Sequence, residues 1–377
     1  MSALEKRNLL VMKFLHYFIT EKNYNPIIVH GIQDEIWLEN LDSEYRIVRI
    51  ILGYIHNNEQ YEFDNYKVQK LVRQIKMKTF TIKMKVMSLY LDINDEVELK
   101  KIGNNYPVII KNDNSVKKSE FIKESFPDMS EKLKFTEEGE RLFEKINNDI
   151  LIKNTSENEK LNDLFKIKKP VVTYALIGII TVFMIGMYGF GNGSNDITTL
   201  YNFGALVKNH EYVRLITSMF IHIGLLHYLM NTWALAILGK QVESFLGHAK
   251  TLIIFLYSGI IGNLVSLLLM ADNSISAGAS GAIFGLMGAL CYFAFNYRTY
   301  MGLALKQQIL PVILVNLVIG MMIPSINMFA HVGGLIAGVL IAIALGIKNK
   351  STTFEKTNGF VAATILIVAL SYLVYFR

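Results

Sequence analysis

Seven long, nearly uncharged segments in the C-terminal part of the chain constrain its fold more than any other feature. A bilayer core about 30 Å thick is crossed by a helix of about 20 apolar residues. Because lipid offers no hydrogen-bonding partners, each segment must satisfy its own backbone groups, as a helix does. The pattern therefore predicts an α-helical polytopic membrane protein. The predicted spans cover residues 171–190, 224–243, 250–271, 277–296, 305–323, 327–347 and 359–376.

A change of composition at Pro170 predicts where a soluble part ends. The preceding residues are dense in Lys, Glu, Asp and Asn, whereas the runs that follow carry almost no charge. Helical and strand patterns both occur before the change, which indicates a soluble mixed α/β domain. We therefore predict three regions: this domain at 1–165, a six-helix membrane core at 166–350, and a seventh transmembrane helix at 351–377.

Hydrophobic periodicity predicts individual elements in the first region. Four acidic residues there also raise the question of metal or nuclease chemistry, but no motif accompanies them, so we interpret them as a solvated face. These residues are Asp34, Glu35, Glu39 and Asp42. The predicted elements are helices at Glu5–Thr20, Glu59–Met77 and Thr136–Leu151, strands at Asn25–His30, Tyr45–Leu52 and Tyr106–Lys111, and a polar linker at Lys153–Lys169.

The distribution of Lys and Arg between the spans predicts the orientation of the chain. The short connections 271–276 and 323–327 contain neither residue type, whereas the alternate connections do. Cytoplasmic loops carry the excess of basic residues, so we predict a multi-pass protein of the cell membrane with its N-terminal half in the cytoplasm and Arg377 outside. The same distribution accounts for the net charge of +6 without a nucleic acid partner. The basic residues that lie before the first span, in or next to the alternate connections and after the sixth span are Lys166, Lys168, Lys169, Lys240, Lys250, Arg298, Lys306, Lys348, Lys350 and Lys356.

Four polar residues share one depth once the spans are oriented in this way. Ser280 and His331 lie near the outer starts of spans four and six, and His227 and Asn231 lie near the outer start of span two. Ionisable residues inside spans are rare and usually functional, which favours an active site. Structural alternatives exist, namely a hydroxyl bonded to its own helix, a packing histidine, or a polar pair that joins helices.

Two glycine patterns predict that the helices carrying Ser280 and His331 approach closely. Each pattern is a small-xxx-small pair, which lets helix backbones meet in lipid. Each pair begins within three residues after the polar residue of its own span, so close packing would bring the two side chains within reach. The pairs are Gly281 and Gly285 in span four, and Gly334 and Gly338 in span six.

The Ser280–His331 pair has the chemistry of a nucleophile and its base. A serine hydroxyl attacks well only when a base takes its proton, and neutral imidazole does this near pH 7. A carboxylate orients the base in many soluble hydrolases, but no Asp or Glu occurs from Asn273 to Phe354. We therefore predict a dyad, with Phe284 stacking on His331 to fix its ring.

His227 and Asn231 are predicted to stabilise the oxyanion that such a reaction forms. They lie four residues apart and therefore share one helix face. With the backbone N–H of Ser280 they supply a set of preorganised donors, often the largest catalytic contribution. No metal is predicted, because the string from His210 to Arg214 lacks the second histidine of a zinc motif.

These residues resemble the rhomboid family of intramembrane serine proteases over roughly residues 170–347. The resemblance implies a six-helix core followed by an extra C-terminal helix. It rests on three motifs that occur in the right order and on the right spans. The motifs are His222-x-x-x-x-His227-x-x-x-Asn231, Gly278-x-Ser280-Gly281 and Ala330-His331-x-x-Gly334-x-x-x-Gly338.

The resemblance implies an activity and a role for each motif residue. It implies that membrane-anchored proteins are cleaved near the outer face, in a water-filled cavity and without a metal or nucleotide cofactor. Ser280 matches the nucleophile, His331 the base, His227 and Asn231 the oxyanion-hole positions, Gly278 a glycine before the serine, and His222 a supporting loop histidine.

Two departures from the family pattern concern supporting contacts. Val213-Arg214 replaces a frequent Trp-Arg in the first outer loop, which affects how that loop is anchored. Phe284 replaces a frequent tyrosine, which keeps the ring and loses the hydroxyl.

Two other functions remain open at the level of sequence. A non-proteolytic relative that binds client helices would have lost Ser280 or His331, and both are present. A transporter would show inverted repeats and broken helices, which are not evident here, although Asn263 and Asn316 lie within spans. An intramembrane protease is therefore favoured, and the oligomeric state is left open.

Overall fold

The computed structural model of the chain describes residues 3–29, 32–166, 168–208, 211–271, 274–323, 326–348 and 350–376. These residues form two compact units, Met1–Asn162 and Asp163–Arg377. The first contains all five named strands, and the second is built from helices.

A five-stranded sheet forms the centre of the first unit. Strands β1 to β3 are antiparallel, and β3 to β5 are parallel, in the order β1-β2-β3-β4-β5. The parallel pair β3–β4 requires a crossover, which the chain makes as a helix. The strands are β1 (Asn25–Ile27), β2 (Glu35–Glu39), β3 (Tyr45–Ile51), β4 (Lys85–Tyr90) and β5 (Asn105–Ile109).

Helices cover both faces of this sheet. The crossover helix, α2, packs on one face through residues such as Val68 and Val72. The first helix, α1, packs on the other face through Phe14 and continues into a π-helical turn at Tyr17–Glu21. The helices are α1 (Ala3–His16), α2 (Asn58–Thr79), α3 (Asp113–Lys118), α4 (Glu120–Ser125), α5 (Met129–Lys132) and α6 (Gly139–Phe165).

The predicted elements of this unit are confirmed as types, but the predicted linker is wrong. Helix α6 runs to Phe165 and includes most of Lys153–Lys169. The part of α6 from 153 to 165 contains neither Gly nor Pro, the strong helix breakers, and Lys153 pairs with Glu157 one turn later at 3.3 Å. Polar composition here marks an exposed helix rather than a break. Strands β2 and β4 were not predicted, and His30 lies outside the described residues.

The interpretation of the acidic residues as a solvated face is wrong for Glu35 and Glu39. Asp34 and Asp42 are exposed, whereas Glu39 is buried and the side chain of Glu35 is only 5% exposed. Glu35 pairs with the fully buried Arg49 at 2.7 Å. A buried carboxylate requires such a partner. The partner lies on the neighbouring strand β3, 14 residues further along the chain, so the pair is not evident from the sequence.

The second unit contains seven apolar helices among the described residues. Five are long and apolar enough to cross a membrane, and Leu225–Leu246 makes a sixth when it is counted together with Arg214–Phe220, which precedes it at a 93° bend. The prediction of a helical, multi-pass membrane protein is confirmed. The helices are α7 (Val171–Gly189), α8 (Ile197–Phe203), α9 (Arg214–Thr217), α10 (Leu225–Leu246), α11 (His248–Leu269), α12 (Ser280–Asn296), α13 (Arg298–Ala304), α14 (Leu310–Met322), α15 (Met328–Leu345) and α16 (Thr353–Tyr375), with a π-helical turn joining α13 to α14.

Helix α12 is shorter than α10, α11 and α15, which pack against it. Its 17 residues span about 26 Å, and residues 274–279, which lead to Ser280, are non-helical. Irregular backbone inside a membrane protein needs cover from other protein groups. Ala279 is fully buried, in agreement with this requirement.

Helix α15 lies in the middle of the unit, against α11, α12 and α16. Its glycines fit directly onto the α12 backbone. A Cβ added at Gly334 would overlap the carbonyl of Gly281, and one at Gly338 would overlap that of Gly285. The two helices therefore meet backbone to backbone, and a larger residue at either α15 position would force them apart.

Candidate active site

Ser280 and His331 come together at the ends of α12 and α15. Ser280 is the first residue of α12, and His331 lies in the first turn of α15. The Ser280 Oγ and His331 Nε2 atoms are 2.8 Å apart. With the ring proton on Nδ1, Nε2 accepts the hydroxyl hydrogen, the arrangement that a general base requires.

The backbone before Ser280 follows a path that a glycine allows. Gly278 has a φ of +138°, and a Cβ there would lie 2.7 Å from Cε1 of His227. Its N–H donates to the Ser218 carbonyl at 2.9 Å. The next N–H, that of Ala279, donates to Nε2 of the buried His222 at 3.3 Å. Hydrogen bonds to Ser218 and His222 thus hold the two residues before the nucleophile in place.

Phe284 lies flat on the imidazole of His331. The ring centroids are 4.3 Å apart and the planes differ by 14°. The Nδ1 atom of His331 is buried and has no hydrogen-bond partner among the described residues. The ring orientation is therefore fixed by the stack and by the bond to Ser280, without a carboxylate.

His227 and Asn231 lie on the helix that faces this pair. His227 contacts Gly278, as the overlap above requires, and its ring meets His222 edge-on at 5.2 Å. Asn231 is buried, and its Nδ2 donates to the His227 carbonyl at 3.0 Å. The structure brings His227 to the serine backbone and gives Asn231 a partner in its own helix, with one amide hydrogen left over.

Arg214 organises the loop between α8 and α10, although Val213 stands before it in place of a tryptophan. Its guanidinium is buried, donates to the carbonyls of Tyr201 and Ala205 at 2.7 and 3.0 Å, and pairs with Glu211 at 2.7 Å. Val213 itself is 65% exposed. The arginine therefore anchors this part of the loop without a tryptophan at position 213.

Sequence reasoning missed one buried carboxylate, Glu243. Its oxygens accept the N–H groups of Val172 and Thr173 at 2.8 Å each, which satisfies the free donors at the start of α7. It lies about 24 Å along α10 from His227, so it is not a third member of the dyad. A carboxylate late in an apolar span was the signal.

A second missed residue is Asn327, which begins α15. Its Oδ1 accepts the Ala330 N–H at 3.2 Å, a helix cap. The signal was an asparagine directly before an apolar span. No group of His, Cys, Asp and Glu that suits a metal occurs within the described residues, and His210 lies outside them.

The chain is similar in sequence to a known domain family and to several named proteins. A rhomboid domain model matches residues 209–348. The rhomboid protease GluP of Bacillus subtilis is 29% identical over 362 residues, which are 92% of this chain and 70% of GluP. The putative rhomboid protease YdcA of the same organism is 33% identical over 159 residues, 42% of this chain and 78% of YdcA. The mitochondrial RHOMBOID-like protein 6 of Arabidopsis thaliana is 38% identical over 169 residues, 43% of this chain and 54% of that protein.

Proposed function

The chain belongs to the rhomboid family of intramembrane serine proteases, and we propose that it cleaves membrane-anchored proteins through a Ser280–His331 dyad. The observation that carries the proposal is the 2.8 Å separation of Ser280 Oγ and His331 Nε2 on helices whose backbones touch. A serine bonded back to its own helix would serve packing alone, but this hydroxyl points to a base on another helix.

The reaction begins when His331 takes the Ser280 proton as Oγ attacks the scissile carbonyl carbon. The imidazolium then gives that proton to the leaving amine nitrogen as the peptide bond breaks. Water attacks the resulting ester, its proton passes to His331, and the serine hydroxyl is restored. The two half-reactions consume one water and leave the dyad unchanged.

Stabilisation of the oxyanion is assigned to groups around the start of α12. The N–H of Ser280 is one of the first four of its helix and has no intrahelical acceptor, and the helix dipole favours negative charge there. His227 adjoins the serine backbone at Gly278. The second amide hydrogen of Asn231 adds a donor from the same face of α10.

The fixed ring of His331 replaces the carboxylate of a triad. Phe284 holds the plane of the imidazole, and the buried Nδ1 has no competing acceptor among the described residues. Proximity of this kind lowers the barrier because the reacting groups need no search for their geometry.

The proposal also covers substrate and orientation. Substrates are single-span or otherwise membrane-anchored proteins, cut near the outer face of the cell membrane, with the N-terminal domain cytoplasmic and the C-terminus outside. An unwound substrate segment would pair as a strand with the connections 271–276 and 323–327, of which 272, 273, 324 and 325 lie outside the described residues. Regions 1–165, 166–350 and 351–377 would act as recruiting domain, protease core and seventh helix.

Cleavage of a model single-span substrate by purified protein in detergent tests the proposal. Wild type is compared with Ser280→Ala and His331→Ala, with unfolding followed in parallel. Loss of cleavage in both folded variants is expected. Equal cleavage by all three would refute the dyad, and a wild type that cleaves nothing in a broad panel would favour a client-binding role.

A further inference from the structure

The amide of Asn327 joins three parts of the membrane unit, and we propose that it is a positioning residue, a latch that sets Ser280 against His331. The proposal rests on the proposed dyad and adds a residue to it. The side-chain hydrogen bonds of Asn327 go to Ser266, Ser276 and Ala330 rather than to the dyad, so its effect would pass through the backbone.

All the hydrogens of this amide are used. Its Nδ2 donates to Ser276 Oγ at 2.9 Å and to Ser266 Oγ, while its Oδ1 caps α15 at Ala330. A primary amide has two donor hydrogens, so Nδ2 is saturated. Ser266 is fully buried on α11 and gives the amide a fixed point.

Each of the two residues joined by the latch lies at the same sequence distance from a reacting residue. Ser276 precedes Ser280 by four residues, and Asn327 precedes His331 by four. Ser276 also exchanges two backbone hydrogen bonds with Leu206, at 2.7 and 3.0 Å. Movement of the latch would therefore reach the nucleophile, the base and the outer loop together.

The glycine contacts hold α15 on α12, but they do not hold the chain that precedes Ser280. Gly334 and Gly338 fix α15 on α12 below His331. Gly281 also meets the Ala330 backbone beside the dyad, because a Cβ added there would lie 3.2 Å from the Ala330 carbonyl oxygen. The non-helical residues 274–279 lie before this contact. The hydrogen bond from Asn327 to Ser276 ties this non-helical segment to the start of α15.

Asn327→Ser tests the latch because serine still caps a helix but is too short to reach both hydroxyls. We expect kcat to fall roughly tenfold, since small misplacements of reacting groups are costly. KM should stay unchanged, because a substrate strand would pair with main-chain groups, which the substitution leaves in place. Asn316→Ser is the matched control, because the Asn316 amide bonds only to the Val312 carbonyl of its own helix in the described structure.

Two substitutions of Ser276 whose side chains have the same shape, threonine and valine, test the latch independently. Ser276→Thr keeps the hydroxyl and should retain most of the wild-type kcat, whereas Ser276→Val removes it and should match Asn327→Ser. The double variant Asn327→Ser/Ser276→Val should be no slower than either single variant. Additive losses, or a lower melting temperature with wild-type kcat, would overturn the latch.

Hydrogen exchange read by mass spectrometry tests the latch without catalysis. The backbone N–H groups of Ser276, Gly278 and Ala279 are hydrogen-bonded, and they should exchange faster in Asn327→Ser but not in Asn316→Ser. Unchanged exchange would refute the latch. Cleavage that survives Ser280→Ala would instead refute the proposed function, so the two failures are distinguishable.

Discussion

Replacement of Gly278 by alanine should damage the site through the backbone alone. Gly278 has a φ of +138°, a region that residues with a Cβ avoid at a cost of about 1–3 kcal/mol. The new Cβ would also lie 2.7 Å from His227 Cε1, whereas ordinary contact begins near 3.4 Å. One of the two must therefore move by about 0.7 Å.

Both consequences act two residues from the nucleophile. A displacement of about 1 Å at reacting groups costs up to about a hundredfold in rate, so we expect Gly278→Ala to cleave about ten- to a hundredfold more slowly. The strain should lower the free energy of unfolding by about 1–3 kcal/mol. Neither chemistry nor charge changes, so the loss isolates the role of the backbone path.

The assay compares kcat/KM on a single-span substrate with thermal unfolding in the same detergent. Gly178→Ala is the control, because Gly178 lies within α7, has a helical φ, and has no atom within 4 Å of an added Cβ. That variant should be neutral or slightly more stable. Wild-type cleavage and stability in Gly278→Ala would refute the reasoning.

Three further predictions address other parts of the molecule. Phe284→Leu should lower kcat about two- to tenfold, the value of an aromatic stack, and Phe284→Tyr should not; single-turnover cleavage measures both. Arg49→Met should destabilise the first unit by about 3–5 kcal/mol in urea unfolding, because it removes a fully buried cation from Glu35 and Asp64 and leaves the part-exposed Lys67 to face both carboxylates. Burial opposes ionisation of Asp64, yet Arg49 lowers its pKa below the ordinary value. The stabilisation is therefore present above the ordinary pKa and is lost as pH falls through the lowered one. Deletion of 1–165 should change which substrates are cut while leaving cleavage of a generic one intact; equal cutting of every substrate would contradict a recruiting role.

The membrane unit was predictable because lipid leaves few structural choices. A span must be helical and apolar, so helices such as α11 and α16 follow from composition. The polar exceptions are conspicuous for the same reason, and Ser280 and His331 lie together in the structure. The glycines that let their helices touch were readable as a pattern because small residues have few other uses at that spacing.

The features that sequence reasoning missed depend on contacts between distant residues. The polar residues of α6 predict a linker, although polarity and helix-breaking are separate properties. The sequence predicts an exposed Glu35, because its partner, Arg49, lies on a neighbouring strand. Asn327 looked like an ordinary span boundary, since its link to Ser276 exists only after folding.

The central claim, that His331 activates Ser280, is tested most directly by an active-site fluorophosphonate. This reagent phosphonylates a serine whose proton is removed by a neighbouring base, and peptide mapping by mass spectrometry locates the adduct. The proposed mechanism predicts a single adduct on Ser280 in the wild type and at least a hundredfold slower labelling in folded His331→Ala. An adduct elsewhere, or labelling of Ser280 at the same rate in both proteins, would contradict it.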